Sequence, residues 1–205
     1  MERSRTRIGI FGGSFSPFTN SHFAIAKAAY DKCWLDQVWL VPTYKYEGKE
    51  SICHTHRLAM VDKMVDKLRA SRDICWLTTS RIDIDNQFTQ SYDTVTFAKN
   101  KYPHIDFFFI CGLDSAKSIH SWENSDKLIE SVPFIVCGRE DYDKESGMWF
   151  DKYPHQYMER ISPSVSSTQV RGMIKNKKIG WENLVHPEVA RYIKNNNLYK
   201  EAQYV

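Results

Sequence analysis

A glycine-rich stretch near the start of the chain carries the residues with the clearest chemistry. Gly12, Gly13 and Ser14 follow a short apolar run, and His22 stands at the start of an amphipathic run. Glycines let a backbone approach a ligand closely, and a helix start offers unpaired N–H groups and the positive end of the helix dipole. We therefore predict a phosphate-binding turn in which the imidazole of His22 donates to a phosphate oxygen.

A second candidate anion site lies near the other end of the chain. Ser166 and Gln169 have the spacing of a capping box, which marks a helix start. Ser167 and Thr168 add hydroxyls, and Arg171 lies one turn inside the predicted helix. A capped helix start with an arginine favours anions. Taken alone, the same pattern fits an ordinary surface helix equally well.

The elements that must position these residues alternate along the chain. The apolar runs predicted as strands are Ile8–Phe11, Gln37–Val41, Ile74–Leu77, Phe107–Cys111 and Phe134–Cys137. The runs predicted as helices are Phe23–Cys33, Arg57–Leu68, Tyr92–Lys101 and Asp126–Ser131. Short apolar strands that alternate with helices predict an α/β fold with a parallel sheet.

Several loops follow predicted strands and should therefore meet at one edge of the sheet. They are the turn at Gly12 and residues 42–49, 112–114 and 138–139. Ligands of open α/β sheets bind outside the carboxyl ends of the strands, near the point where the strand order reverses. We expect the functional site at that edge.

Length and pattern predict one domain, residues 1–205, with the second phosphate motif and the closing helices at about 160–200. A chain of this size buries roughly 70% of its unfolded surface. Residues 138–155 are charged, aromatic and poor in periodicity. They are predicted to form a long loop or lid and not a linker between domains.

Composition narrows the class of protein. The formal net charge of +3 does not indicate a nucleic-acid partner. No apolar run could span a membrane, and no secretory signal is evident, so we predict a cytoplasmic protein and do not exclude a nuclear one. No CxxC pair occurs, and Cys75, Cys111 and Cys137 lie in apolar strand-like runs, which predicts buried free thiols.

The glycine-rich stretch resembles the (H/T)xxH signature of the nucleotidyltransferase branch of the HIGH superfamily, with Thr19 and His22 at the two signature positions. The Ser166–Arg171 stretch resembles the ISSTxxR signature of the same enzymes, with Val165 in place of isoleucine. The resemblance implies catalytic roles for His22 and Arg171. It also implies a set of ATP- and phosphate-binding residues: Gly12, Gly13, Ser14, Phe15, Thr19, Gly112, Asp114, Ser167 and Thr168.

Further segments resemble the nicotinate and nicotinamide mononucleotide adenylyltransferases. Gly112-Leu113-Asp114 followed by Trp122 is similar to their GxD…W segment. The segments His56–Met60, Ser91–Val95 and Tyr192–Tyr199 are also similar to that family. This resemblance implies a Rossmann-like fold, a mostly parallel sheet with helices on both faces, and ATP and a pyridine mononucleotide as substrates. It implies Mg²⁺ held by substrate and water, with no metal-binding residue of the chain.

The mononucleotide-binding residues implied by the resemblance are Lys45 or Lys49, Trp122, Tyr92 and Thr94. Trp122 has a shape suited to stacking on a pyridine ring, but a tryptophan packed in the core would look the same in sequence. Asp114 can accept hydrogen bonds from ribose hydroxyls or serve at a helix start.

The predicted reaction joins ATP to nicotinate or nicotinamide mononucleotide and releases pyrophosphate. One alternative is a phosphopantetheine-type adenylyltransferase, which shares both phosphate motifs. Another is a non-catalytic nucleotide-binding sensor or chaperone. No nucleic-acid or membrane partner is expected, and the sequence is compatible with a homo-oligomer.

Overall fold

The structure is a computed structural model that describes residues 5–45, 51–71, 74–139 and 147–200. Its strands are β1 (Thr6–Gly13), β2 (Gln37–Pro42), β3 (Leu77–Thr79), β4 (Ile105–Gly112), β5 (Phe134–Arg139) and β6 (His155–Ile161). Its α-helices are α1 (Asn20–Lys32), α2 (His54–Ala70), α3 (Ile82–Asn86), α4 (Ser91–Lys101), α5 (Leu113–Ser118), α6 (Ser125–Ser131), α7 (Ser167–Lys175) and α8 (Pro187–Asn195). Short 3₁₀ helices span Ile119–Ser121, Trp149–Lys152 and Trp181–Leu184.

The six strands form one sheet in the order β3-β2-β1-β4-β5-β6, and every pair is parallel. The chain order reverses between β1 and β4, whose register pairs Phe11 with Ile110. The carboxyl ends of β1 and β2 meet directly, because Thr43 N–H donates to Gly13 O at 3.1 Å. This confirms the predicted Rossmann-like α/β architecture and the edge at which the loops were expected to meet.

Two hydrophobic clusters cover the two faces of the sheet. Side chains of β1 alternate between them, since Ile8 and Ile10 belong to one cluster and Phe11 belongs to the other. Residues of α1, α2, α7 and α8 pack with Phe11, and we call this side the α1 face. Residues of α4, α5 and α6 pack with Ile8 and Ile10, and we call that side the α4 face.

The four predicted helices are confirmed as α1, α2, α4 and α6. The predicted third strand, Ile74–Leu77, is displaced, because β3 begins only at Leu77. Its pairing register runs from Val38↔Leu77 to Leu40↔Thr79, so the β-branched Thr78 and Thr79 carry the strand although they are polar. The prediction that Cys75 is buried is wrong, since Cys75 precedes β3 and is exposed. Cys111 and Cys137 are buried as predicted.

The interpretation of residues 138–155 as one long loop is wrong at both ends. Strand β5 extends to Arg139, a 3₁₀ helix spans Trp149–Lys152, and the edge strand β6 begins at His155. Residues 140–146 lie outside the described residues. In the part of the chain that the structure describes, no helix is long and apolar enough to cross a membrane.

Candidate functional site

The carboxyl end of β1 leaves room above Gly12, the first of the two glycines that close the strand. Among the described residues, no heavy atom lies within 4 Å of the position that a Cβ on Gly12 would take. A Cβ on Gly13 would instead lie 2.8 Å from Cε1 of Phe15, a buried residue with a φ of 47°. Gly13 therefore serves the packing of the loop, whereas the space over Gly12 is open to a ligand.

Thr19 and His22 form a reciprocal capping box at the start of α1. Thr19 is fully buried, and its backbone N–H donates to Nδ1 of His22 at 2.9 Å. A backbone N–H can only donate, so Nδ1 is the acceptor nitrogen and a neutral imidazole carries its proton on Nε2. The fold thus selects the tautomer in which His22 has a ring N–H beyond the cap.

Three phenylalanines surround the His22 ring. Its centroid lies 5.3 Å from the ring of Phe15, 5.3 Å from that of Phe18 and 6.2 Å from that of Phe11. The Phe15 ring meets the imidazole edge to face, at an interplanar angle of 82°. The capping bond and these rings together fix the orientation of the imidazole.

The second phosphate motif contacts the first. Ser166 caps α7, since its Oγ accepts from Gln169 N–H at 3.0 Å, which confirms the predicted helix start. Arg171 Nη1 donates to Ser16 O at 2.8 Å, and its Nη2 donates to Thr168 Oγ1 at 3.2 Å. Ser167 Oγ donates to Pro17 O at 2.8 Å. The starts of α1 and α7 are therefore joined through the loop between β1 and α1.

Ser21 strengthens this junction and was not identified from the sequence. Its Oγ accepts from Val165 N–H at 2.5 Å and donates to Pro163 O. Thr19 Oγ1 also lies 3.3 Å from Val165 O. Ser21 is 5% exposed, but it precedes the predicted helix Phe23–Cys33, so the helical pattern gave no signal for it.

Gly112 and Asp114 lie at the end of β4, the strand next to β1. A Cβ on Gly112 would lie 2.6 Å from Asp114 Oδ1, so only glycine lets the carboxylate take this position. Gly112 is the N-cap of α5, and Asp114 is an exposed residue of its first turn. The carboxylate of Asp114 therefore lies at the carboxyl edge of the sheet, where it is predicted to accept hydrogen bonds from ribose hydroxyls.

Three of the residues predicted for the mononucleotide, Trp122, Tyr92 and Thr94, lie on the α4 face. Trp122 is half-buried, with its ring 6.4 Å from Phe109 at 77°, and Tyr92 lies below Lys127 Nζ at 5.7 Å. Thr94 is 3% exposed, and its Oγ1 lies 2.6 Å from Asp83 Oδ1. Trp122 and Tyr92 thus contact the core cluster of this face, and the hydroxyl of Thr94 is engaged inside the protein.

Asp83 is a buried carboxyl that sequence reasoning missed. Its pKa is raised to about 7, chiefly by burial and to a lesser extent by the nearby Asp93, while the hydrogen bond with Thr94 opposes the shift. Thr94 Oγ1 also lies 3.2 Å from Gln90 O. The Thr94 hydroxyl can donate to Asp83 Oδ1 or to Gln90 O, so it links α3 to the start of α4.

Of the two candidate lysines, Lys45 is exposed shortly after β2, and Lys49 lies outside the described residues. Between β2 and the phosphate loop stands Arg57, which is 1% exposed. Its guanidinium donates to four backbone carbonyls, those of Ser14, Thr43, Tyr44 and Ile52, at 2.7–3.0 Å. Burial lowers the pKa of this group.

Arg57 therefore connects the loop after β1 with the loop that leads to Lys45. Sequence reasoning did not assign it a role. The sequence did contain a signal for it: Arg57 has the spacing that places it on the same helix face as Val61 and Met64, which are fully buried. A cation in such a position needs polar partners from elsewhere in the fold.

Within the described ranges, no cluster of three or more His, Cys, Asp or Glu side chains could hold a metal ion. The donor groups at this edge are instead N–H groups, hydroxyls and cations. Such groups bind phosphate oxygens.

Residues 10–173 match the profile of the cytidylyltransferase-like family. A probable nicotinate-nucleotide adenylyltransferase of Borrelia hermsii is 32% identical, over 94% of this chain and 97% of the relative. That of Bacillus licheniformis is 30% identical, over 95% of this chain and 98% of the relative.

A solved structure with the same fold is that of Plasmodium falciparum nicotinic acid mononucleotide adenylyltransferase complexed with NaAD. Its TM-score is 0.83 at 23% identity, with 95% of this chain and 97% of that chain covered. The chain belongs to the cytidylyltransferase-like family and, within it, to the nicotinate-nucleotide adenylyltransferases.

Proposed function

We propose that this protein transfers the adenylyl group of ATP to nicotinate mononucleotide, forming nicotinate adenine dinucleotide and pyrophosphate. The observation that carries the proposal is the junction of the two phosphate motifs, in which Arg171 bonds the loop that leads to the capped pair Thr19 and His22. Relatives at 30% and 32% identity across nearly the whole chain carry the name of this activity.

The reaction needs no nucleophile from the protein. An oxygen of the mononucleotide phosphate attacks the α-phosphorus of ATP, the bond from that phosphorus to the bridging oxygen breaks, and pyrophosphate leaves. Both reactants are anions, so the protein must bring them together, align them and stabilise the charge that moves to the leaving group.

The chain's own groups match these tasks. The open backbone at Gly12 and the starts of α1 and α7 supply N–H donors to the triphosphate. The Nε2–H of His22 donates to a phosphate oxygen, because its Nδ1 is engaged by Thr19. Arg171 uses two of its five N–H donors on Ser16 and Thr168 and adds positive charge at the same place.

We infer that Mg²⁺ comes to this site with ATP. Mg²⁺ keeps several waters and commonly binds through substrate phosphates, so the ion would need few ligands from the chain. Such an ion would neutralise phosphate charge when bound. Asp114 is the exposed carboxylate nearest to the end of β4, and we assign it to ribose hydroxyls and not to the metal.

For the mononucleotide, we propose that Trp122 stacks on the pyridine ring, that Tyr92 borders it, and that Lys45 or Lys49 meets the phosphate. Trp122 is only partly buried, which leaves some of its side chain available to a ligand and supports this assignment. Thr94 is better suited to a supporting role through Asp83, because the residue is 3% exposed and its hydroxyl already bonds Asp83 Oδ1.

The test is pyrophosphate release with ATP and one of three acceptors: nicotinate mononucleotide, nicotinamide mononucleotide or 4′-phosphopantetheine. We expect the highest kcat/KM with nicotinate mononucleotide. Preference for 4′-phosphopantetheine would support the alternative that shares both motifs. ATP binding without pyrophosphate release from any acceptor would favour a sensor or chaperone.

A further inference from the structure

A cavity of about 580 Å³ lies at the far end of α7 from the phosphate motifs. It is formed by the end of α7, the turn after it, the 3₁₀ helix Trp181–Leu184, α8 and the segment that follows α8. Its volume falls in the range of roughly 300–1,000 Å³ found for small-molecule sites. None of the residues proposed for ATP or the mononucleotide lines it.

The charge of this cavity is strongly one-sided. Among the described residues, five lysines line it, namely Lys175, Lys177, Lys178, Lys194 and Lys200, against one acidic residue, Glu182. Glu182 is already paired with Lys194, at 2.8 Å between Nζ and Oε1. Cations gathered around one concave surface repel one another and favour an anion among them.

The inner wall of the cavity is apolar. Ile174, Trp181, Ile193 and Leu198 line it and are each no more than 8% exposed. Ile179, in contrast, is 94% exposed at the edge of the same cavity. An exposed isoleucine beside a tryptophan floor favours a ligand that brings apolar surface as well as charge.

We propose that this lysine cavity binds a small organic anion, in which a phosphate or sulfonate-like group is attached to an aromatic or similarly flat apolar body. The anionic group lies among Lys175, Lys177 and Lys178, and the apolar body packs between Ile179 and Trp181. This site is additional to the adenylyl-transfer site and does not depend on the activity proposed there.

The cavity is nevertheless connected to the phosphate loop. Helix α7 carries Arg171 toward Ser16 and reaches the cavity with Lys175. Tyr199 follows the cavity residue Leu198, and its Oη lies 3.3 Å from Ser16 Oγ. A ligand in the cavity would therefore touch two segments that both contact Ser16.

The experiment is a fluorescence titration of the full chain with 8-anilinonaphthalene-1-sulfonate, an anion on a flat apolar body, with saturating ATP present. We expect saturable binding that weakens by about tenfold in Lys177→Glu/Lys178→Glu. The matched control is Lys63→Glu/Lys152→Glu, which alters the net charge equally at exposed lysines elsewhere and should change the affinity less than twofold.

The milder Lys177→Gln/Lys178→Gln should weaken binding by about threefold and keeps the test available if charge reversal harms folding. Competition then separates the two parts of the ligand. Phenyl phosphate should displace the probe at lower concentration than inorganic phosphate or benzyl alcohol. The proposal is overturned if the control pair weakens probe binding as much as the Lys177 and Lys178 substitutions do. It is also overturned if benzyl alcohol or inorganic phosphate displaces the probe as effectively as phenyl phosphate.

Discussion

On the α1 face, the loop after β1 and the start of α7 are bonded to each other, whereas on the α4 face the residues proposed for the pyridine ring are held by packing. Arg171 bonds Ser16 and Ser167 bonds Pro17, which fixes the two phosphate motifs against each other. Trp122, in contrast, contacts Phe109 edge to face and packs against the core cluster of the α4 face.

The difference reflects what each half has to recognise. Phosphates are bound by directed N–H and O–H donors, so binding on the α1 face should weaken when a single donor is removed. A pyridine ring is bound through contact area and shape, so binding on the α4 face should weaken when the packing of its side chains changes. Single substitutions should therefore have different signatures on the two faces.

The largest effect is expected for His22. In His22→Ala, kcat should fall by roughly two to four orders of magnitude, because a preorganised donor to the reacting phosphates is lost. The capping partner of Thr19 is lost as well, which should cost about 1 kcal/mol of unfolding free energy. Steady-state kinetics and thermal melting measure the two losses separately.

His22→Asn is the matched control, because the amide oxygen can accept from Thr19 N–H as Nδ1 does, while no group replaces Nε2–H. Stability should return toward that of the unmodified protein, and turnover should stay low. If turnover returned together with stability, His22 would be a capping residue without a catalytic role.

The next effect is on the α4 face and depends on pH. Asp83 has a folded-state pKa of about 7, above the ordinary value of 3.8. Between these values the folded state keeps a proton that the unfolded state has released, so stability falls as pH rises from about 4 to about 7. Asp83→Asn removes this loss and should stabilise the protein at pH 8 by an amount of up to about 4 kcal/mol.

Chemical denaturation at pH 4 and pH 8 measures this gain, which should nearly vanish at pH 4. The control is Asp85→Asn, an exposed carboxylate on the same helix that pairs with Arg81 at 3.3 Å. Asp85→Asn should leave the difference in unfolding free energy between pH 4 and pH 8 unchanged. A gain of equal size at both pH values would mean that folding does not raise the pKa of Asp83.

On the α1 face, Arg171→Ala should raise the KM for ATP more than that for the mononucleotide. A charge-assisted hydrogen bond is typically worth about 1.5–3 kcal/mol, which corresponds to roughly 10- to 150-fold. The matched control is Arg191→Ala on α8, an exposed arginine bonded to Glu188 at 2.9 Å, which should change neither constant. Equal losses toward both substrates would show that Arg171 acts only by holding Ser16.

The two faces also differ in how far the sequence predicts them. The role of Ser166 as a helix cap follows from Gln169 three residues later, so the local pattern suffices. The capping contact between Thr19 and His22 has the same spacing but was not predicted. Arg57 could not be assigned in this way, because its four carbonyl partners come from three separate segments. The pairing of Asp83 with Thr94 likewise depends on how α3 packs against α4.

The fold shows the same division. Buried strands such as β4 are predictable, because both faces are covered and the run is continuously apolar. The edge strand β6 was missed, since it pairs only with β5 and carries His155, Glu159 and Arg160 within its span. Edge strands tolerate charge, and an apolar-run criterion therefore overlooks them.

The smallest effect on the kinetic constants is expected at Trp122. This substitution also tests most directly whether the α4 face binds the pyridine ring. If its indole stacks on the pyridine ring, Trp122→Ala should raise the KM for nicotinate mononucleotide by about tenfold and leave the KM for ATP largely unchanged. Adding the mononucleotide should also quench fluorescence in a saturable way. Because the chain has six tryptophans, that quenching must disappear in the variant to count.

Trp149 offers the contrasting case on the same face. Its ring contacts Phe134 and Phe150, and its Nε1–H donates to Ala116 O at 2.7 Å, so Trp149→Phe should lower the melting temperature and affect both substrates together. Both tryptophans are half-buried, so burial does not separate them; if Trp122 binds the ring, Trp122→Ala should affect the mononucleotide alone, because a stacking partner is lost. A stable Trp122→Ala protein with an unchanged mononucleotide KM would remove the ring from the α4 face and would reopen the phosphopantetheine alternative.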